Sequence, residues 1–485
     1  MNSLLPVAPL LGLIAMVMSL WHLVPLAVSI GLADGAAHAF AQSMAINSAA
    51  GYVLWLATRR FRQDLKPRDG ITLVVFAWVG GAAFATVPLL LSIPGLSFTD
   101  AYFESVAGLT ASGGTVLTGL DRLPPSINVW RAELQWLGGL GILVLAVAIL
   151  PLLGLGGRQI YRAEMPGPMK DARMTPRIKE TAKALWTVYV VLTALCLLAY
   201  WAAGMGWIDA LVHAFTTMGL GGFSSHDASI GYFESPAIEA VAIVFMLVAG
   251  INFATHFIAW RGRSIAAYRK DPEATTYLFL LSASVLLIGG YLWAHEVYPD
   301  LATSIRYAAF NTISIATTTG YSTTDYGIWP SFAPLWLLFL GTFAACSGST
   351  GGGIRMIRAI VLYRQIYRDM VRMLHPNAIT PVKVAGQVIP GRTIFGVLAF
   401  FFAWVATLVV ASLLLAGSGL PPLTALSAAV ASLCNIGPGL HEVGPAANFA
   451  NLSDAQIWIC TATMLLGRLE IFTVLILFTP AYWRT

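Results

Sequence analysis

Residues Asn311 to Gly327 read "NTISIATTTGYSTTDYG", six threonines and two serines gathered around Gly320, with an apolar segment not far on either side. A single stretch of this kind is explained as well by small residues that let two helices pack closely. Its recurrence is not. The segments "FTDAYFESVAGLTASGGT", "WIDALVHAFTTMGLGGFSS" and "LTALSAAVASLCNIGPG" occupy the same place between apolar spans. The glycines that end the four segments, Gly113, Gly221, Gly320 and Gly437, fall at intervals of 108, 99 and 117 residues. Self-similarity at a fixed period marks a repeat architecture. Each unit reads as span, half-length helix, irregular return, span.

The remaining sequence places these units in a bilayer. Of 485 residues 57% are hydrophobic and 11% charged, with a mean hydropathy of +0.74, more apolar surface than a water-soluble chain of this size can hide. Runs of roughly 20 apolar residues match a hydrocarbon core about 30 Å thick. The fold class expected is therefore an all-α polytopic membrane protein: four span–loop–span units in pseudo-fourfold array around one central pore, plus two extra N-terminal spans. The boundaries follow as residues 1–66 for the N-terminal pair, then 67–160, 180–265, 273–375 and 390–485 for the units. The N-terminus lacks a basic leader and a cleavage site, so it reads as a retained first span. Cys196, Cys346, Cys434 and Cys460 show no paired spacing, which suggests neither a disulfide framework nor a metal site.

Charge supplies the orientation. The clusters Arg59–Arg68, Arg158–Lys183, Arg261–Lys270 and Arg355–Arg392, with Arg484, hold 24 of the 28 lysines and arginines. The alternate connections carry only Arg122, Arg131 and Arg306, and Arg468 is left inside an apolar run. An excess of Lys and Arg in alternate loops marks the cytoplasmic side. That topology signal also accounts for the basic clusters without any nucleic acid.

The half-length segments carry the chemistry. They run about 10 to 14 residues before their glycine, too short to cross. Asp100, Asp209 and Asp300 stand near the starts of three, where an acid offsets the positive end of a helix dipole; the fourth starts at Pro422-Leu423-Thr424. Each then aims its partially negative end at its glycine. Irregular backbone at membrane depth is tolerated where it lines a watery cavity, and a ring of carbonyl oxygens can replace the hydration shell of a cation. Thr317, Thr318 and Thr319 add hydroxyl and carbonyl oxygens beside Gly320, whose missing side chain lets the carbonyls turn inward.

On "GLTASGGTVLTGLD", "GLGGFSSHDASIGYF", "TTTGYSTTDY", "CSGSTGGGIRMIR", "CNIGPGLHEVGPAANF" and "GRLEIFTVLILFTPAYWR", the sequence resembles the Trk/Ktr/HKT superfamily of cation transporters over essentially its whole length. The two extra N-terminal spans resemble the bacterial TrkH-type branch. The resemblance implies potassium uptake across a bacterial inner membrane, and no enzyme activity or bound cofactor. It places a selectivity filter at Ala111-Ser112-Gly113, Gly219-Leu220-Gly221, Thr318-Thr319-Gly320 and Asn435-Ile436-Gly437. The first loop of the family usually reads Thr-Thr-Thr-Gly, where this chain has Thr110-Ala111-Ser112-Gly113, and the second usually has serine where Gly219 stands. Sodium-preferring plant relatives have serine at the position of Gly113, so glycine there points to potassium. The resemblance further implies a homodimer and a cytoplasmic, nucleotide-binding TrkA-like ring that docks on the basic clusters Arg158–Lys183 and Arg355–Arg372.

Two features fit a gate. "AACSGSTGGG", Ala344 to Gly353, interrupts the second span of the third unit, and its Gly348, Ser349, Thr350, Gly351, Gly352 and Gly353 make a poor helix, since glycine costs about 1 kcal/mol relative to alanine. The family makes this an intramembrane loop below the filter, able to swing aside at modest cost. It lacks the lysine of a phosphate-binding GxxxxGK[ST] loop. Arg468 lies mid-span in "MLLGRLEIF", where a lone charge is expensive; it faces either the pore, as the family implies, or Glu470. His213, His226, His256 and His295 have no metal-ligand spacing and read as packing residues. Trp21, Trp78, Trp130, Trp201 and Trp483 read as interfacial anchors. Sodium- or proton-coupled carriage is the alternative within transport. A membrane enzyme would need a nucleophile–base or metal constellation that the chain does not display.

Overall fold

A computed structural model describes residues 6–61, 67–148 and 174–483. Those residues are helical apart from connecting segments and a two-residue hairpin, Lys383–Val384 against Gln387–Val388. Helices Ala8–Leu20 and Leu23–Leu32 lead into Ala37–Thr58. Gly12 and Gly51 let the first and third of these touch, because a Cβ on either would stand 2.7 Å from the other's carbonyl oxygen.

Four units follow. The first comprises Pro67–Ala85 with Val87–Ser92, the short helix Phe98–Leu109 and the long helix Pro125–Ala148. The second comprises Met174–Ala202, the short helix Trp207–Gly219, and Pro236–Ala249 with Phe253–Gly262. The third comprises Pro272–Ala294, the short helix Leu301–Ala316, and Phe332–Gly341 with Met356–Leu374. The fourth comprises Gly391–Gly417, the short helix Pro422–Cys434, and Asp454–Arg468 with Ile471–Leu475. Among the described residues five helices are long and apolar enough to cross a membrane, and seven when each bent pair is taken as one span.

The closing helices depart from the sequence reading, which interrupts only the third unit. The second unit's also breaks, by 94°, between Ala249 and Phe253, and the fourth's bends by 112° between Arg468 and Ile471. At the first break Asn252 caps the new helix, its side chain accepting from Ala254 N–H at 2.8 Å. At the second, Glu470 takes φ 62°, which no continuous helix accommodates.

The short helices start as charge and capping require, with one exception. Ser97 and Asp300 cap theirs, accepting from Asp100 N–H at 3.0 Å and Thr303 N–H at 2.8 Å. The fourth begins on Pro421 and Pro422, where a missing N–H costs nothing. The Thr424 hydroxyl makes no hydrogen bond and is not part of that cap. Trp130 is no interfacial anchor: it is fully buried and donates to Ala85 O at 3.2 Å. The basic run that begins at Arg158 lies, up to residue 173, outside the described residues.

Candidate functional site

Each short helix ends in the same backbone turn. Ala111, Leu220, Thr318 and Asn435 all occupy the left-handed region, at φ 50°, 51°, 61° and 55°. Their N–H groups, and those of the next residues, fold back onto carbonyls of the helix that has just ended. Two residues after each comes a glycine with positive φ: Gly113, Gly222, Gly320 and Gly437. In the second unit the equivalent glycine is therefore Gly222, one residue beyond the Gly221 that spacing picks out. The triplet that matches the other three is Leu220-Gly221-Gly222, and Gly219 is the last residue of the helix.

These glycines close a ring. A Cβ on Gly113 would stand 2.2 Å from Gly221 O, on Gly222 2.0 Å from Thr319 O, on Gly320 2.1 Å from Ile436 O, and on Gly437 2.6 Å from Ser112 O. Every unit thus lays its glycine against the carbonyl preceding the next unit's glycine, and the fourth returns to the first. Only backbone without a side chain can approach so closely. Among the described residues no hydrogen-bond donor reaches Ser112 O, Thr319 O or Ile436 O, while Gln135 Nε2 donates to Gly221 O at 2.7 Å. Buried carbonyls rarely stay without partners, so these oxygens are available to a ligand.

The threonine hydroxyls do not join them. Thr317 and Thr319 share a hydrogen bond of 2.7 Å, Thr317 also donates to Ile313 O at 2.8 Å, and Thr318 Oγ1 accepts from Gly352 N–H at 2.9 Å. They brace the loop from behind.

A cavity lined by Gly113, Gly222, Gly320 and Gly437 opens on one side of the ring, with His226 and Asp227 on its wall. The histidine reading misses His226, because its partners come from distant segments. Its Nδ1 hydrogen-bonds Asp121 and its Nε2 stands 3.3 Å from Asp209, while the imidazole stacks on Tyr232 with centroids 3.6 Å apart. Asp227 ties the same two units by accepting from Gly119 and Leu120 N–H at 2.9 and 3.1 Å. Burial alone would lower the His226 pKa, but hydrogen bonds and charge from Asp209 and Asp121 outweigh it, and the group titrates above its ordinary value. His213, also nearby, lies on the second short helix and hydrogen-bonds Ser224 Oγ at 2.9 Å. A raised histidine pKa stabilises the fold fully below the unfolded value of about 6.5 and loses that contribution as pH rises through the folded value. The melting temperature should therefore fall by a few degrees from pH 6 to 9, and His226→Gln should flatten that slope. Equal slopes in both proteins would show that the imidazole does not clamp the two units. Of the other histidines read as packing residues, His256 is buried and meets Tyr268 OH and Val248 O, each at 2.8 Å, whereas His295 is exposed and meets Tyr291 O at 2.9 Å.

On the opposite side of the ring the loop after Gly341 forms a plug. Cys346 N–H donates to Gly250 O at 3.1 Å, Gly348 O accepts from Phe253 N–H at 3.0 Å, and Thr350 Oγ1 donates to Met218 O at 3.0 Å. Gly352 lies so near Cys434 O that a Cβ would stand 2.1 Å away. These contacts knit the loop to the second and fourth units. Arg468 crosses to it from the fourth unit, donating to Thr350 O at 2.9 Å and to Gly138 O of the first unit at 3.1 Å. No carboxylate lies within 4.0 Å of Arg468 among the described residues. Glu470 instead pairs with Arg358 at 2.8 Å and Arg355 at 4.0 Å.

Three residues absent from the sequence reading of the site stand around the ring. Gln135 holds the second loop through Gly221 O and Phe223 N–H. Arg131 belongs to a long helix, not to a connection, and is buried against Glu104. Charges at membrane depth need partners, and that rule, applied to Arg131 and Glu104 as it is to Arg468, finds both.

The family model described as "TrkH: Cation transport protein" matches residues 36–485. A Trk system potassium uptake protein TrkH from Halomonas elongata is 45% identical over 484 residues, covering 99% of this chain and all of that protein. The protein of the same name from Salmonella typhimurium is 44% identical over 476 residues, 98% of each chain. The crystal structure of the potassium transporter TrkH from Vibrio parahaemolyticus matches with a TM-score of 0.91 at 41% identity, covering 100% of this chain and 99% of that one.

Proposed function

Since the chain belongs to the TrkH family of cation transport proteins, we propose that it takes up potassium across a bacterial inner membrane. The observation that carries this reading is the closed ring of Ser112, Gly221, Thr319 and Ile436 carbonyls, three of them without a donor. Potassium exchanges its hydration shell for these oxygens, in a filter of residues 111–113, 220–222, 318–320 and 435–437. The ion then meets the plug at residues 348–353 and the guanidinium of Arg468, which together close the path until the loop moves. The basic loops and C-terminus face the cytoplasm. There a nucleotide-binding ring docks on the basic surface that includes Met356–Leu374 and controls the plug. The membrane subunit works as a homodimer.

Purified protein in liposomes, with potassium, sodium and proton gradients varied separately, tests the proposal. Uptake should follow the potassium gradient alone and exclude sodium. Flux that collapses when the sodium or proton gradient is removed would replace it with coupled carriage.

A further inference from the structure

Arg131 and Glu104 form an ion pair of 2.7 Å whose side chains are 1% and 0% exposed. They belong neither to the ring nor to the plug, yet between them they hold two of the strands that leave the ring. Glu104 accepts from Thr115 Oγ1 at 2.9 and 3.0 Å and from Val116 N–H at 3.1 Å, just beyond Gly113. Arg131 Nη1 donates to Ser224 O at 3.1 Å, two residues beyond Gly222, and its guanidinium lies 4.3 Å from the centre of the Phe223 ring. The same Nη1 stands 3.2 Å from Asn128 Oδ1, and Asn128 Nδ2 reaches Leu120 O at 3.0 Å.

The other units repeat the first half of this device. Counted back seven residues from the left-handed turn, Glu104 corresponds to His213 and Asn311. His213 hydrogen-bonds Ser224 Oγ at 2.9 Å, and Asn311 Nδ2 donates to Thr323 Oγ1 at 3.2 Å. In the fourth unit Ser427, one residue earlier, accepts from Leu440 N–H at 3.0 Å. Each short helix thus props up the strand that leaves its own turn. The first prop is an ion pair that extends through Arg131 into the second unit, whereas the second meets its neighbour by a neutral contact, Tyr321 OH donating to His213 O at 3.2 Å.

We infer that the Glu104–Arg131 pair is a specificity-determining clasp that fixes the spacing of the first and second ring carbonyls, and so the discrimination of potassium from sodium. A buried ion pair is a poor stabiliser, since neutral replacements of similar shape often cost nothing. What it supplies is geometry: the planar guanidinium fork holds both partners in one orientation, which an ammonium cannot. The discrimination of a carbonyl ring depends on the size of its cavity and the field of its oxygens, and both follow from where the strands are pinned.

The inference rests on the ring being the filter, and the test separates the two. Potassium and sodium uptake are measured in liposomes for the wild type, Arg131→Lys and the neutral double variant Glu104→Gln/Arg131→Gln, beside their melting temperatures. A wild type that does not discriminate overturns the filter reading itself. With a selective wild type, both variants should keep nearly native melting temperatures while the potassium-to-sodium ratio falls about tenfold, the worth of one charge-assisted hydrogen bond. A native ratio in either folded variant overturns the clasp. So does a parallel loss of both fluxes together with the fold, which is the signature of a pair that only stabilises.

Discussion

Gly222→Ala should nearly abolish selective potassium uptake, and Gly221→Ala should do markedly less. At Gly222 the new methyl carbon would stand 2.0 Å from Thr319 O and 2.9 Å from its carbonyl carbon, at φ +74°. Neither obstacle is a side chain that can rotate away, and alanine at that φ costs about 1–2 kcal/mol before any clash is counted. Adding an overpacking cost of about 1–3 kcal/mol gives roughly a hundredfold loss of the ion-competent ring. At Gly221 the nearest atoms are those of the Gln135 side chain, at 2.3 and 2.4 Å, and the backbone has no positive φ. Gln135 can yield there at the expense of its two hydrogen bonds. Gly113→Ser and Gly320→Ser should behave like Gly222→Ala, since their new carbons would meet backbone oxygens at 2.2 and 2.1 Å. Uptake in cells stripped of other potassium systems, with sodium as competitor, makes the comparison. If Gly221→Ala proves the more damaging, the ring register stated above is wrong.

The second large effect has the opposite sign. Arg468→Ala removes a positive charge from the proposed path and two hydrogen bonds, to Thr350 O of the plug and Gly138 O of the first unit. For a cation passing at about 8 Å with an effective dielectric constant near 20, that charge raises the barrier by about 2 kcal/mol. Flux should therefore increase by roughly tenfold or more at equal protein incorporation. Arg468→Lys keeps the charge but loses the fork that spans two carbonyls, and should fall between. Well-folded Arg468→Ala with native flux would reduce Arg468 to a packing residue, and the barrier would then rest with the plug backbone alone.

The parts legible in the sequence are those written in local composition. The four units show because each short segment ends in small residues and glycine at a regular interval, and the plug shows because seven of the ten residues from Ala344 to Gly353 are glycine, serine or threonine. The register of the second loop was hidden because Gly219, Gly221 and Gly222 are chemically alike, and only the sign of φ distinguishes them. The breaks at residues 250–252 and 469–470 were hidden for a related reason. Each involves two or three residues inside a long apolar run, so hydropathy carries straight through. Partnerships between distant segments left least trace. Arg131 lies 27 residues from Glu104, and Asp121 lies 105 from His226, and no periodicity connects them.

The ring is made by one chain, so it obeys a different arithmetic from a pore assembled of identical subunits. In a symmetric tetramer one altered codon changes all four walls together. Here it changes a quarter. The four walls already differ, with serine, glycine, threonine and isoleucine supplying the oxygens, so an ion held among them has no reason to sit on the axis. Each wall touches one neighbour through its glycine and another through its carbonyl, so a disturbance spreads first to a single seam. Such a pore can be retuned one quadrant at a time, through intermediates that still conduct, along routes that a homotetramer does not have.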